Sequence, residues 1–179
     1  CGLRCAYCHN PDSWKMKEGK VTEVSEIVSE LVKYKEFFDA SGGGITVSGG
    51  EPLLQMEFVT ELFKECKKHG IHTNIDTSGD LKFNTEERKQ QLKELLAVTD
   101  MLMLDIKMFD AQKHKQLTGK DNAHILEFGH LVSDAGIPMW IRRVLVPGLT
   151  DDEDDLQKTA EYIKTLKTVK KIEVLPYHS

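Results

Sequence analysis

Three cysteines near the start of the chain constrain its fold and chemistry more than any other feature. Cys1, Cys5 and Cys8 are spaced C-x3-C-x2-C. Such tight spacing does not suit a disulfide, which needs a particular separation and direction of its two Cα atoms, and three thiols leave one unpaired. Tetrahedral zinc would need a fourth ligand, which His9 could supply. An iron–sulfur cluster on three thiolates would keep one iron open for a small molecule. The spacing favours the cluster, with zinc or unrelated thiols as alternatives.

Composition limits the classes of function that the chain can serve. Its 179 residues, 40% hydrophobic and 30% charged, predict one globular domain over residues 1–179. The net charge of −5 argues against a general nucleic-acid binder, which needs clustered Lys and Arg. No apolar run approaches the ~20 residues of a membrane span, and no signal peptide is recognisable. Unpaired thiols favour the reducing cytoplasm.

Short apolar runs alternate with helical patterns along the chain. Predicted strands cover residues 45–47, 72–75, 101–106, 140–146 and 172–175, and predicted helices cover 22–38, 55–68, 85–97, 110–117, 123–135 and 151–166. Strands alternating with helices at this spacing indicate βαβ units and a parallel sheet. Because the strands are almost wholly apolar, we expect both faces of the sheet to be covered. The fold class is therefore α/β.

Each predicted strand ends in glycine or in polar residues. These ends are Gly49-Gly50-Glu51-Pro52, Asp76-Thr77-Ser78-Gly79, Asp105 with Lys107, Arg142 with Arg143, and His178. Function collects at the carboxyl ends of parallel strands. Asp105, inside an apolar strand, is costly unless paired, and Lys107 lies on the same strand face to pair with it. Because termini fray, Cys1 would be poorly held as a first residue, so we expect an upstream strand that brings the cysteines to the same edge.

Several motifs, taken together and in order, resemble one family. The cysteine motif and Gly49-Gly50-Glu51-Pro52 resemble the cluster motif and glycine-rich loop of the radical S-adenosylmethionine (SAM) superfamily. The finer resemblance, over essentially the whole chain, is to the pyruvate formate-lyase activating enzymes. It rests on Tyr7-Cys8-His9-Asn10, Ser41-Gly42-Gly43-Gly44, Leu104-Asp105-Ile106-Lys107, Trp140-Ile141-Arg142, Val146-Pro147-Gly148 and Leu175-Pro176-Tyr177-His178.

The resemblance implies a fold, two cofactors and a reaction. The fold would be a partial, open (β/α)6 TIM-like barrel that lacks its first strand and a C-terminal extension. Cys1, Cys5 and Cys8 would hold a [4Fe-4S] cluster, and SAM would chelate the fourth iron through its amino and carboxylate groups. Reductive cleavage of SAM would give a 5′-deoxyadenosyl radical that takes a hydrogen from a backbone glycine of pyruvate formate-lyase, in anaerobic glucose metabolism. Flavodoxin or ferredoxin would donate the electron, and the activase would act as a cytoplasmic monomer.

The resemblance also assigns residues, with no catalytic side chain because the cluster and SAM carry the chemistry. Tyr7, Cys8 and His9 would lie near the adenine of SAM, Gly50 and Glu51 near its methionine part with Glu51 on the ammonium, and His178 near its adenosyl group. Asp105, Ile106 and Lys107 would lie against SAM, and Arg142 would hold its carboxylate or a ribose oxygen. Asp76 and Thr77, with the Met103 carbonyl, would bind a monovalent cation.

Plainer interpretations and other functions stay open. Tyr7 could serve packing alone, Asp76 could stabilise a turn, and Cys66 reads as a small buried hydrophobic residue. One competing function is activation of another glycyl-radical enzyme. A competitor of a different class is a zinc-stabilised binding module without catalysis, which would need a ligand group besides His9.

Overall fold

The structure is a computed structural model that describes residues 1–15 and 19–177. In chain order its helices and strands are α1 Val24–Val32, α2 Lys35–Ser41, β1 Gly44–Val47, α3 Met56–Lys68, β2 His72–Thr77, α4 Glu86–Leu96, β3 Met101–Asp105, α5 Ala111–Thr118, α6 Ala123–Asp134, β4 Met139–Leu145, α7 Glu153–Thr165 and β5 Val169–Pro176. Short 3-10 helices cover Pro11–Trp14 and Pro52–Gln55.

The five strands form one open sheet in the order β1-β2-β3-β4-β5, and every neighbouring pair is parallel. The predicted α/β class with an open parallel sheet is confirmed, and the sheet is consistent with a partial TIM-like barrel. The order follows from the chain, since a helix crosses over between each strand and the next. All strand carboxyl ends therefore lie along the same edge.

Two predicted elements differ from the structure in extent. The single helix expected over residues 22–38 is divided into α1 and α2, because the backbone of Tyr34 has ψ of 6° and leaves the helical range. Strand β5 is longer than the four residues predicted, because it pairs with β4 from Val169 to Pro176. Ile172 and Val174 of β5 are exposed, so the expectation that both faces of the sheet are covered is wrong at this edge strand.

The main core lies between the sheet and its helices. Fully buried members include Phe63 of α3, Ile75 of β2, Leu104 of β3, Phe128 of α6 and Ile141 of β4. At about 25 cal/mol per Å² of apolar surface removed from water, each such side chain favours folding by roughly 1.5–3 kcal/mol. No helix of the described residues is long and apolar enough to cross a membrane.

A second, smaller core fixes the cysteine loop, residues 1–10, to the rest of the fold. Tyr7 packs there with Met108, Leu117 and Val146. Two backbone hydrogen bonds run alongside, from Arg4 N to the carbonyl oxygen of Thr118 (2.8 Å) and from Ala6 N to that of Leu117 (3.0 Å). The loop is thereby held at the carboxyl edge of the sheet.

Candidate active site

A cleft of about 260 Å³ opens at the carboxyl edge of the sheet. Residues of the cysteine loop that line it are Cys1, Cys5, Tyr7, Cys8 and His9. The predicted residues that reach it from the strand ends are Gly50, Asp76, Thr77, Asp105, Lys107 and Arg142. The structure thus brings together residues from most of the chain's length, as the strand-end argument predicted. We call this space the cleft.

The three cysteines of the motif share one wall of the cleft. Cys8 N donates a hydrogen bond to the Cys5 carbonyl oxygen (3.1 Å), which folds the C-x2-C part into a turn. Arg4 Nη1 donates to the carbonyl oxygens of Cys1 (2.7 Å) and Leu3 (2.8 Å), and its guanidinium lies 5.1 Å from the ring centroid of Trp14. Burial raises the pKa of the Cys5 thiol, and Lys107 opposes that rise.

The thiols are not gathered around a single point. Among residues 1–15 and 19–177, no three His, Cys, Asp or Glu side chains are arranged to share one metal ion. A tetrahedral zinc ion would need such a group, whereas a cluster binds each thiolate to a different iron and so accepts thiols spaced further apart.

Asp105 and Lys107 form an ion pair on the floor of the cleft. Lys107 Nζ lies 2.7 Å from Asp105 Oδ2 and 5.5 Å from the ring centroid of Tyr7. Burial lowers the pKa of Lys107, but the Asp105 carboxylate and the neighbouring Tyr7 and Cys5 raise it by a larger amount. The net pKa of Lys107 is therefore raised, and its side chain is charged. The pairing expected from their spacing is present. Among the described residues, the other oxygen, Asp105 Oδ1, is buried without a hydrogen-bond partner.

A second ion pair crosses the cleft between β2 and β4. Arg142 Nη1 lies 2.6 Å from Asp76 Oδ2, and Arg142 Nε lies 3.5 Å from Glu173 Oε2. Burial raises the pKa of Asp76, and Arg142 opposes the rise. The Asp76 carboxylate thus already faces a cation of the protein itself. The monovalent cation expected at Asp76 and Thr77 stays a prediction.

Gly50 lets two loops touch. A Cβ atom at this position would lie 2.8 Å from Cys1 N and 3.1 Å from the Cβ atoms of Cys1 and Ser13. A side chain would therefore push the glycine loop, residues 48–51, away from the cysteine loop. The sequence predicted close approach to the methionine part of SAM. The approach seen is to Cys1.

Two of the predicted residues lie outside the cleft lining. Glu51 is 4% exposed, is absent from the cleft lining, and its carboxylate accepts hydrogen bonds from Leu53, Thr77 and Ser78. Ile106 is buried beneath the cleft, and its N–H donates to the Arg142 carbonyl oxygen (2.9 Å). His178 lies outside the described residues. Its neighbour Tyr177 has its ring centroid 5.4 Å from that of His9.

Several polar residues of the lining were given no role of their own from the sequence, although Ser78 belongs to a polar strand end already noted there. Asn10, Ser13, Ser48 and Ser78 all contribute to it. Ser48 directly follows β1 and Ser78 directly follows β2. The position directly after a strand is the signal that could have found Ser48 too, since that is where parallel strands present ligand groups.

Comparisons with known proteins agree on one family. The sequence model of the Radical SAM superfamily matches residues 1–163. The pyruvate formate-lyase-activating enzyme of Staphylococcus aureus (strain USA300) is 54% identical over 179 residues, which cover 99% of this chain and 71% of that protein. The same named enzyme of Staphylococcus aureus (strain COL) matches equally. The resemblance drawn from the motifs is confirmed.

Solved structures agree with the sequence matches. The crystal structure of a domain of pyruvate-formate lyase-activating enzyme from Bacteroides vulgatus superposes with a TM-score of 0.67 at 33% identity, covering 76% of this chain and 82% of that one. The crystal structure of Streptococcus suis SuiB bound to S-adenosylmethionine gives a TM-score of 0.77 at 18% identity, covering 100% of this chain and 39% of that one. The second likeness shows the fold alone.

Proposed function

This chain belongs to the radical SAM superfamily, and we propose that it activates pyruvate formate-lyase by taking a hydrogen atom from a backbone glycine of that enzyme. One observation carries the proposal. Three thiols of one loop face a glycine loop and two ion pairs from separate strands across a single cleft. The identity of 54% with the Staphylococcus aureus enzyme supports pyruvate formate-lyase as the partner.

Radical SAM proteins use a [4Fe-4S] cluster and SAM, and the groups around the cleft fit both. Cys1, Cys5 and Cys8 supply the soft thiolates that iron–sulfur clusters take. Asp105 Oδ1, buried at the cleft without a hydrogen-bond partner among the described residues, suits a donor on a bound ligand. When both groups are bound, the cluster supplies the electron and SAM the hydrogen-abstracting group.

The residues around the cleft bind and orient SAM. Arg142 offers a guanidinium to its carboxylate or a ribose oxygen, sharing that charge with Asp76. Tyr7, His9 and Tyr177 form an aromatic group in which Tyr7 and Tyr177 meet edge to face with centroids 6.5 Å apart, and it suits the adenine ring. Lys107 balances the charge of Asp105 beneath. These roles, and that of His178, are our assignments.

The partners follow from the chemistry. The reaction needs one electron from outside, for which flavodoxin or ferredoxin is the donor that we propose. We further propose that the activase works as a monomer in the cytoplasm. Three cysteines kept as cluster ligands and the unpaired Cys66 support a reducing compartment, because thiols persist there.

The test is an anaerobic one on the whole protein. Iron and sulfide are restored, the cluster is reduced, and the EPR spectrum is recorded with and without SAM, followed by glycyl-radical detection on pyruvate formate-lyase. We expect a cluster signal that changes on adding SAM, and a radical on the partner. Cys8→Ala should abolish both, because it removes a ligand, whereas the matched control Cys66→Ala should retain both, since Cys66 lies in the core.

Two results would contradict the proposal. Stoichiometric zinc with no SAM-sensitive signal would favour the zinc-stabilised binding module. A normal signal with a radical formed on another glycyl-radical enzyme, and none on pyruvate formate-lyase, would keep the chemistry and change the partner.

A further inference from the structure

Glu51 is a buried carboxylate that joins two loops lining the cleft without lining it itself. Its Oε1 accepts hydrogen bonds from Leu53 N (3.1 Å) and Thr77 Oγ1 (2.5 Å). Its Oε2 accepts from Ser78 N (3.1 Å) and Ser78 Oγ (2.5 Å). A carboxylate offers about four acceptor sites, so these four bonds use its capacity. Little remains for the ammonium group of a ligand.

The groups that Glu51 holds belong to the cleft. Thr77 and Ser78 line it from the end of β2, and Gly50, the residue before Glu51, lines it from the glycine loop. Backbone pairing of β1 with β2 runs from Gly44 and His72 to Val47 and Ile75. Glu51 therefore continues the connection between the two strands past their last paired residues, where the cleft begins.

We propose that Glu51 is a positioning residue that aligns the glycine loop with the end of β2, and that it does not contact SAM. The inference rests on the proposed function, since SAM is taken as the ligand of the cleft. It replaces the sequence-based expectation that the Glu51 carboxylate binds the SAM ammonium. Its effect on SAM passes through Gly50, Thr77 and Ser78, whose placement depends on the four hydrogen bonds.

The deciding variant is Glu51→Gln. A glutamine keeps the shape but replaces one acceptor oxygen with an NH₂ group, so that the backbone N–H of either Leu53 or Ser78 loses its acceptor, depending on the orientation of the amide. A buried donor left unpaired costs roughly 1–3 kcal/mol. That is about a 5- to 150-fold change in the equilibrium between the aligned and the displaced glycine loop. Glu61→Gln on the exposed face of α3 is the matched control, because it makes the same chemical change away from the cleft.

Two ligands separate positioning from direct contact. Binding to the reconstituted whole protein is measured for SAM and for a SAM analogue whose α-amino group is replaced by hydrogen. We expect Glu51→Gln to weaken both ligands by the same factor, at least about fivefold. A loss confined to SAM would overturn the inference, because it would place the Glu51 carboxylate in contact with the α-amino group, the one group in which the two ligands differ. Unchanged affinity for both would overturn it as well.

A second variant keeps the inference testable if Glu51→Gln folds poorly. Ser78→Ala on its own removes only one of the four hydrogen bonds and leaves Glu51 in place, so it should weaken SAM and the analogue without the amino group by the same factor. A loss confined to SAM in this variant would contradict the inference. Amide hydrogen exchange of Leu53 or Ser78 should also speed up in Glu51→Gln without SAM present. A wild-type protein without a SAM-sensitive cluster would refute the proposed function instead, and the exchange result would still report on Glu51.

Discussion

Two neighbouring arginines of β4 serve opposite sides of the sheet. Arg142 points into the cleft, where its pair with Asp76 keeps about a quarter of both side chains exposed. Arg143 points to the helices and pairs with Asp155 at 2.8 Å, with side-chain exposures of 4% and 1%. Successive strand residues face opposite sides of the sheet. Arg142 is therefore accessible to a ligand in the cleft, whereas Arg143, the next residue, is buried against the helices.

The Arg143 side binds together three parts of the fold. Its guanidinium also donates to Thr159 Oγ1 (3.0 Å), to the Thr150 carbonyl oxygen (2.8 Å) and to the Met108 sulfur (3.3 Å). The Asp155 carboxylate also accepts hydrogen bonds from the backbone N–H groups of Phe109 and Asp110, at the start of α5. Each group is fixed by several partners on this side, whereas the cleft side leaves its pairs partly exposed. Rearrangement around a ligand is therefore easier on the cleft side of the sheet than on the helix side.

The largest effect on stability should come from Arg143→Met. The variant leaves the Asp155 carboxylate buried without its cation, which costs about 3–5 kcal/mol. Urea unfolding of the wild type and the variant in the same cofactor state measures it. Arg143→Lys, the control, should lose less because the charge remains. If Arg143→Met lowers the free energy of unfolding by less than about 1 kcal/mol, the ion pair of Arg143 contributes no more to stability than an exposed pair, and the two arginines do not differ in this respect.

Arg142→Met should have the opposite result, with a small effect on stability and a large effect on SAM binding. Since its ion pair is partly exposed, the free energy of unfolding should change by no more than about 1 kcal/mol. The affinity for SAM should fall about 10- to 100-fold, because a charge-assisted hydrogen bond is lost. Calorimetric titration of SAM measures the loss, and Arg142→Lys tests the need for the planar fork of the guanidinium. Equal SAM affinity in Arg142→Met would remove this residue from the site.

The carboxylates at the two ends of β2, Asp100 and Asp76, should have smaller effects on stability, and these effects should depend on pH. Asp100 meets the amino end of β2, where Thr73 N donates to it at 2.8 Å and Lys67 pairs with it. Burial raises the pKa of Asp100, but these hydrogen bonds lower it by more, so its pKa lies below the usual range. Its stabilising contribution is therefore present above about pH 3.8 and is lost as pH falls through the lower folded-state pKa.

We expect Asp100→Asn to lower the free energy of unfolding at neutral pH, and to have the same stability as the wild type in acid.

The pKa of Asp76 is shifted in the opposite direction. Because it is raised, the stability that Asp76 contributes is greatest below about pH 3.8 and declines as pH rises through the folded-state value. Asp76→Asn should therefore remove that decline. Unfolding midpoints of both variants between about pH 3 and pH 7 check the two slopes. Parallel slopes would mean that the two ends of β2 do not differ electrostatically.

Contacts within one strand could be predicted from the sequence, whereas contacts between distant segments could not. The pair of Asp105 with Lys107 was predictable, because two residues along a strand share a face. The pair of Asp76 with Arg142 was not predicted, since it joins β2 to β4 across the intervening β3 over 66 residues of sequence. The four bonds of Glu51 were missed likewise, because a glutamate after a strand reads as available for a ligand until its partners are known.

Local periodicity and residue spacing were enough to predict the α/β class, the parallel sheet, the loop of three thiols and the polar strand ends. Which partner each charge meets depends on the folded arrangement. That arrangement turned Glu51 inward to Thr77 and Ser78, set Gly50 against Cys1, and assigned Arg142 to the cleft and Arg143 to the helices. Those choices depend on the crossing of distant strands and on the space left between loops, which no local pattern records.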